Sequence, residues 1–242
     1  MTTIAAQRVR RVGETGPSFY LWISLAMAAV LIGGFSRTVP GDFLDSPPLP
    51  LLLHVHGAIF TLWVFLFVAQ PALIARGSPR LHRRIGVLGI GLATVMVVMA
   101  VVATLFAVGT HRIPPFFPPT VFLVMNLLGA VVFGGLVAVG LIMRRRREWH
   151  KRLMLCATIS ILGPGFGRLL PMPSFGAVAP IVMFAAILSF GVAGMIADLI
   201  ARGRIHPAYY WGVGTILLTD LAIAPLAYSP AAADFLRYLQ SA

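Results

Sequence analysis

The stretch LLLHVHGAIFTLWVFLFVAQPAL, residues 51–73, contains no Asp, Glu, Lys or Arg over its whole length. A hydrocarbon core about 30 Å thick is crossed by roughly 20 helical residues. The stretch therefore reads as a transmembrane helix. It nevertheless carries His54, His56, Trp63 and Gln70, polar groups that need partners once they leave water.

The rest of the chain supports a membrane reading. Hydrophobic residues make up 59% of the 242, charged residues 11%, and the mean hydropathy is +0.92, which excludes an ordinary soluble domain. The apolar runs are continuous, not alternating, so helices are expected and a barrel is not. Seven runs reach spanning length, over residues 19–38, 50–75, 85–108, 120–143, 152–170, 177–200 and 208–228. In the fifth, ILGPGFGRLLP sets Pro164 between two glycines and predicts a kink or break. The expected fold is an all-α polytopic helix bundle with seven transmembrane helices. Residues 1–17 form an N-terminal segment, residues 18–228 the transmembrane domain and residues 229–242 a tail.

The net charge of +12 belongs to topology and not to nucleic acid. With the N-terminus inside, Arg8, Arg10 and Arg11, Arg76, Arg80, Arg83 and Arg84, Arg144 to Arg147 with Lys151 and Arg152, and Arg202 and Arg204 all fall on one side. Only Arg37, Arg112, Arg168 and Arg237 remain on the other, which predicts an N-in, C-out arrangement. The basic N-terminus has the flank of a signal peptide but is followed by a long apolar run without a clean cleavage site, so a retained first span is expected. The opposite loops are Pro-rich, and AAADFLRYLQSA at the end reads as a short interfacial helix on the outer surface. The single cysteine, Cys156, excludes an intramolecular disulfide and a Cys-based metal cluster. The only lysine, Lys151, lies in RRRREWHKR outside the spans, which excludes a retinal Schiff base.

Counting the helical rise places four polar residues near one level. His56 and Asn126 lie about 9 Å below the outer starts of spans two and four, while Arg168 and Asp220 lie about 24 Å and about 18 Å above the inner starts of spans five and seven. A shared ligand site lined by His56, Asn126, Arg168 and Asp220 is expected in the outer half, with Arg168 and Asp220 as an ion pair. His56, Trp63 and Gln70 recur every seven residues on one stripe of span two, and His54 adds a further candidate ligand contact from another face. The plainer alternative is that Arg168 snorkels, Asp220 bonds its neighbours, and His56, Trp63 and Gln70 only pack. Asp198 and Arg202 read as an i,i+4 pair.

A second cluster lies at the inner side. His82 in RLHRRIG and His150 in EWHKRLM open spans three and five in matching settings, a weak internal echo of spans two and three in spans four and five. If those spans are neighbours, the two imidazoles could ligate a haem b whose propionates pair with the surrounding arginines. The alternative is that both segments, and His206 with them, only anchor helices to anionic headgroups.

The residues HVHG, Trp63 to Gln70, LHRRIGVLG and WHKRLMLCATISILGPGFGRLLP resemble a family of uncharacterised bacterial polytopic membrane proteins, over residues 37–171. That resemblance implies a multi-pass protein of the bacterial inner membrane. A looser similarity links the chain to transmembrane b-type cytochromes, where four helices supply paired histidines. Span four offers Asn126 where those proteins carry histidine, so only the His82 and His150 pair survives the comparison. Three functions stay open: a redox protein with haem b and a quinone or small substrate in the outer site, an assembly factor or accessory subunit among other membrane-complex subunits, and a transporter.

Overall fold

The computed structural model describes residues 15–39, 41, 49–114 and 117–241. Most of the N-terminal segment, with Arg8, Arg10 and Arg11, lies outside the described residues. The described chain forms α1 (Pro17–Phe35), α2 (Leu51–Ala75), α3 (Pro79–Gly109), α4 (Pro119–Ile142), α5 (Arg147–Ile159), α6 (Gly163–Leu169), α7 (Ala179–Arg202), α8 (Pro207–Ala227) and α9 (Pro230–Ser241). Proline opens α1, α3, α4, α8 and α9, where its missing N–H goes unused and its fixed φ suits a first turn. Gly203, at φ 69°, ends α7 in the left-handed conformation that terminates many helices.

Among the described residues six helices are long and apolar enough to cross a membrane: α1, α2, α3, α4 with its following turn, α7 and α8. The fifth expected span, residues 152–170, is not one helix. Residues 160–162 leave the helical path between α5 and α6, and Pro164 then sits in the first turn of α6. Of the kink or break that the sequence predicted, the structure has the break, with the proline in the first turn of the new helix.

α5 is the axis of the bundle. It contacts α1, α4, α7 and α8, and from Arg152 to Ile159 every side chain except Met154 is buried. Its neighbours close around it in the order α1, α2, α3, α4, α8, α7, α6, each packed on the next. The weak hydropathy of this segment now has a cause. A helix surrounded by protein can hold polar residues that a lipid-facing helix cannot.

Three hydrogen bonds fix how α5 and α6 lie along α1. Lys151 Nζ donates to the carbonyl of Thr15, just before α1, at 3.2 Å. Just past its other end, Arg168 Nε donates to Thr38 Oγ1 at 3.1 Å and Arg37 Nη1 to the Leu169 carbonyl at 2.9 Å. The two short helices thus run the length of α1. α6 approaches α1 backbone to backbone through Gly34 and Gly165, where a Cβ on Gly34 would land on the Gly165 carbonyl. The expected terminal helix is present as α9, packed across α3, α4 and α8, with its Asp234–Arg237 ion pair exposed.

Candidate functional site

The first half of the candidate site is a pair of histidines. His82 stands in the first turn of α3 and His150 in the first turn of α5, with ring centroids 6.4 Å apart and planes at 87°. His82 Nδ1 lies 3.4 Å from the Gln70 carbonyl, and His150 Nδ1 lies 2.8 Å from the Gly140 carbonyl. A carbonyl only accepts, so Nδ1 carries a proton in both rings, and in the neutral tautomer Nε2 keeps its lone pair. This is the arrangement by which a backbone carbonyl orients a metal-binding imidazole. The internal echo gains a structural counterpart here, because each histidine is tied to the closing turns of the preceding helix.

The centroid separation alone is close to that of two imidazoles sharing one ion. An imidazole nitrogen binds a transition metal at about 2.0–2.1 Å and lies roughly 1.1 Å from its ring centre, so two imidazoles on opposite sides of one ion have centroids about 6.3 Å apart. Among the described residues no three His, Cys, Asp or Glu side chains gather as a metal site. A pair of imidazoles suits a metal whose remaining ligands come from a macrocycle. Gln70 strengthens the fit: its carboxamide Oε1 lies near Gly86, one turn along α3 from His82, and its Nε2 is buried with no hydrogen-bond partner among the described residues. Arg83, Arg84 and Arg144 to Arg147 are exposed beside the two histidines.

The second half is a buried charge network. Arg152 is fully buried; its Nε donates to Asp198 Oδ2 at 2.8 Å and its Nη2 to Asp198 Oδ1. Its Nη1 donates to the Glu148 carbonyl at 2.8 Å and to Glu148 Oε2 at 2.6 Å. Asp198, also fully buried, accepts from the Thr15 hydroxyl at 2.6 Å and from the His206 backbone N–H at 3.0 Å. Glu148 completes the network with Lys151 at 2.6 Å and Arg202 at 3.3 Å. Burial raises the Glu148 carboxyl, but hydrogen bonds from Lys151 and Arg152 outweigh it and hold the group below the usual carboxylate range. The His206 imidazole is also lowered, by burial and then by Arg152 and Arg202. In its neutral form its Nδ1 accepts from the Ala208 N–H at 3.1 Å and caps α8.

These contacts correct two ion-pair expectations. Asp198 pairs with Arg152, forty-six positions away in the chain, and Arg202 turns to Glu148. Arg168 and Asp220 make no ion pair with each other. The height estimate treated residues 152–168 as one helix; the break at residues 160–162 places Arg168 on α6, which packs on α1 and α7, while α8 packs on α4, α5 and α7. Arg168 donates to Thr38 and to the Pro164 carbonyl and covers the Phe35 ring at 4.2 Å.

The other expected residues are dispersed as follows. Trp63 is buried, donates its indole N–H to Thr158 at 3.3 Å and packs edge-on against Phe133, which pins α2 to α5. Gln70 joins the His82 environment at the far end of α2. His56 stacks on Phe60 with its Nδ1 buried and unpartnered among the described residues, and His54 is half-buried on another face. Asn126 donates within its own helix to the Phe122 carbonyl at 2.7 Å. Asp220 Oδ2 is buried and unpartnered among the described residues.

No family model, curated protein or solved structure matches the chain. The residues that sequence reasoning passed over are Thr15, Tyr20, Glu148, Arg152 as an interior group, and Tyr209. A signal for two of them was available: Glu148, Asp198 and Asp220 are the only acids between residues 46 and 233, and Glu148 precedes Arg152 by one helical turn. Any buried arginine near them has few partners to choose from.

Proposed function

We propose that the chain is a redox protein of the bacterial cytoplasmic membrane in which His82 and His150 hold a haem b at the arginine-rich end of the bundle. The perpendicular histidine pair, each ring fixed through Nδ1 by a backbone carbonyl, carries the reading. Bound there, the haem would supply one-electron transfer. The chain's part is to present two neutral Nε2 atoms, to offer Arg83, Arg84 and the Arg144 to Arg147 turn to the carboxylates, and to offer the Gln70 amide as a buried donor. The test is the visible spectrum of the purified protein: a Soret band and a sharp reduced α-band are expected, and a colourless, metal-free protein would remove the reading.

The same proposal takes α5 and α6 together as a seventh, broken crossing with the N-terminus in the cytoplasm, supported by the arginine distribution. A reporter fused after Ala242 should then report the outer compartment, and one inserted at Arg144 to Arg147 the cytoplasm; reversed signals would overturn the orientation. A second reading is an accessory or assembly subunit of a larger membrane complex, favoured by the Arg152 network, whose charges engage one another.

A further inference from the structure

His206 holds two helices through one residue. It closes the short turn from α7 to α8, where Gly203 and Arg204 are exposed, yet it is itself only 8% exposed. Its backbone N–H donates to Asp198 Oδ2 on α7 at 3.0 Å, and its Nδ1 accepts from the Ala208 N–H of α8 at 3.1 Å. Pro207 has no N–H, so the Ala208 amide is the first donor of α8 and the imidazole is its partner.

The side-chain half of this hold works only with a neutral ring. A ring nitrogen that accepts carries no proton, whereas the imidazolium has an N–H on both nitrogens and would set a donor against the Ala208 donor. The surroundings also oppose the added charge. From α5 the ring faces Arg152 and Glu148, and from α7 it faces Asp198 and Arg202. The carboxylates are already engaged by Arg152, Arg202 and Lys151, so three cations stand against two anions before any proton arrives. The uncharged Trp149 ring packs perpendicular to the imidazole, with centroids 5.3 Å apart.

We propose that His206 is a proton-operated latch at the arginine-rich end of the bundle: neutral, it ties the first turn of α8 to α7, and protonated from the water around the turn, it lets α8 go. The latch guards interior packing. Ala208 and Tyr209 in that turn are fully buried, and one turn further Gly212 leaves the room that the Cys156 thiol of α5 fills. Release therefore loosens α8 from α5 as well as from α7. The sign follows from the ring, whose pKa is lowered by burial, Arg152 and Arg202: the latch is shut near neutrality and opens only as the pH falls below the ordinary imidazole value of about 6.5. Glu148, held below the usual carboxylate range, stays ionised across that window.

Cys156, the only cysteine and a buried one, reports the opening. The probe is dithiodipyridine, which labels thiols even in acid, applied to the protein in detergent between about pH 7.5 and about pH 5, on either side of the ordinary imidazole value. Where opening and closing outpace labelling, the rate follows the open population. Wild type is compared at each pH with His206→Asn and His206→Ser, side chains that cap a helix and do not titrate, which cancels the pH dependence of the thiol chemistry itself. The three should label similarly at the higher pH, and at the lower one wild type should label about two- to thirtyfold faster than both, the loss of one N-cap. His206→Ala, which has no cap, should label faster than the capping variants at both pH values. Rates of wild type that follow those of Asn and Ser throughout would overturn the latch. Melting curves give a second reading: the melting temperature of wild type should fall more steeply in acid than that of either capping variant, and parallel curves would overturn the latch as well. Neither measurement needs a bound cofactor, so the outcome stands apart from the redox reading.

Discussion

Arg152→Leu and Asp198→Leu should each destabilise the bundle by about 3–5 kcal/mol, because removing one member of a buried pair strands the other charge. In Arg152→Leu the Asp198 carboxylate keeps Thr15 and the His206 N–H but loses its counter-ion. In Asp198→Leu the guanidinium keeps its hydrogen bonds to Glu148 and its place over the Tyr209 ring. The double variant should recover much of the loss, since the two sites share one interaction and their effects cannot add. Recovery should stop short of wild type: the buried His206 N–H then has no acceptor, which costs about 1–3 kcal/mol. The measurement is the melting temperature of the four proteins in one detergent at one scan rate, which keeps irreversible unfolding from mixing into the comparison. Additive losses in the double variant would show that Arg152 and Asp198 act separately and would remove the network as the lock between α5 and α7.

That pair also marks where sequence reading ends. The long spans were legible because lipid-facing helices must be apolar along their whole length, and α2, α4, α7 and α8 fall within two residues of their expected bounds, while α3 begins six residues earlier than expected. The His82–His150 neighbourhood was legible because two matching segments open helices at the same end. Arg168–Asp220 failed for a local reason. A height calculation assumes one unbroken helix, and the interruption at residues 160–162 puts Arg168 on the separate helix α6, which packs on α1 and α7 and not on α8. Asp198 was misread because a partner four residues away in sequence competes in any one-dimensional reading with one that only packing supplies. Tyr20 and Tyr209 gave no signal at all, since tyrosines near span ends are ordinary interface residues until the fold shows them turned inward.

The largest effect expected at the candidate cofactor site is the loss of the low-spin haem spectrum in both His82→Ala and His150→Ala. Each histidine is half-buried and held by its own carbonyl, so neither can swing over to replace the other. A single remaining imidazole should give a five-coordinate, high-spin centre or no retained haem. Since disturbing only the groups that orient a ligand weakens metal binding by about 10–100-fold, removing the ligand itself should lower haem content by at least that factor. Added imidazole should restore the low-spin spectrum to either variant, because the vacated volume matches the missing ring; a misfolded protein would gain nothing from it. His54→Ala, on another face of α2 and at the opposite end of the bundle, should keep full haem and an unchanged α-band. Full haem in both alanine variants would assign the cofactor to other residues. Loss in His54→Ala equal to that in the pair would instead indicate a general failure to assemble, and the perpendicular histidines would then be helix anchors beside the arginine-rich surface.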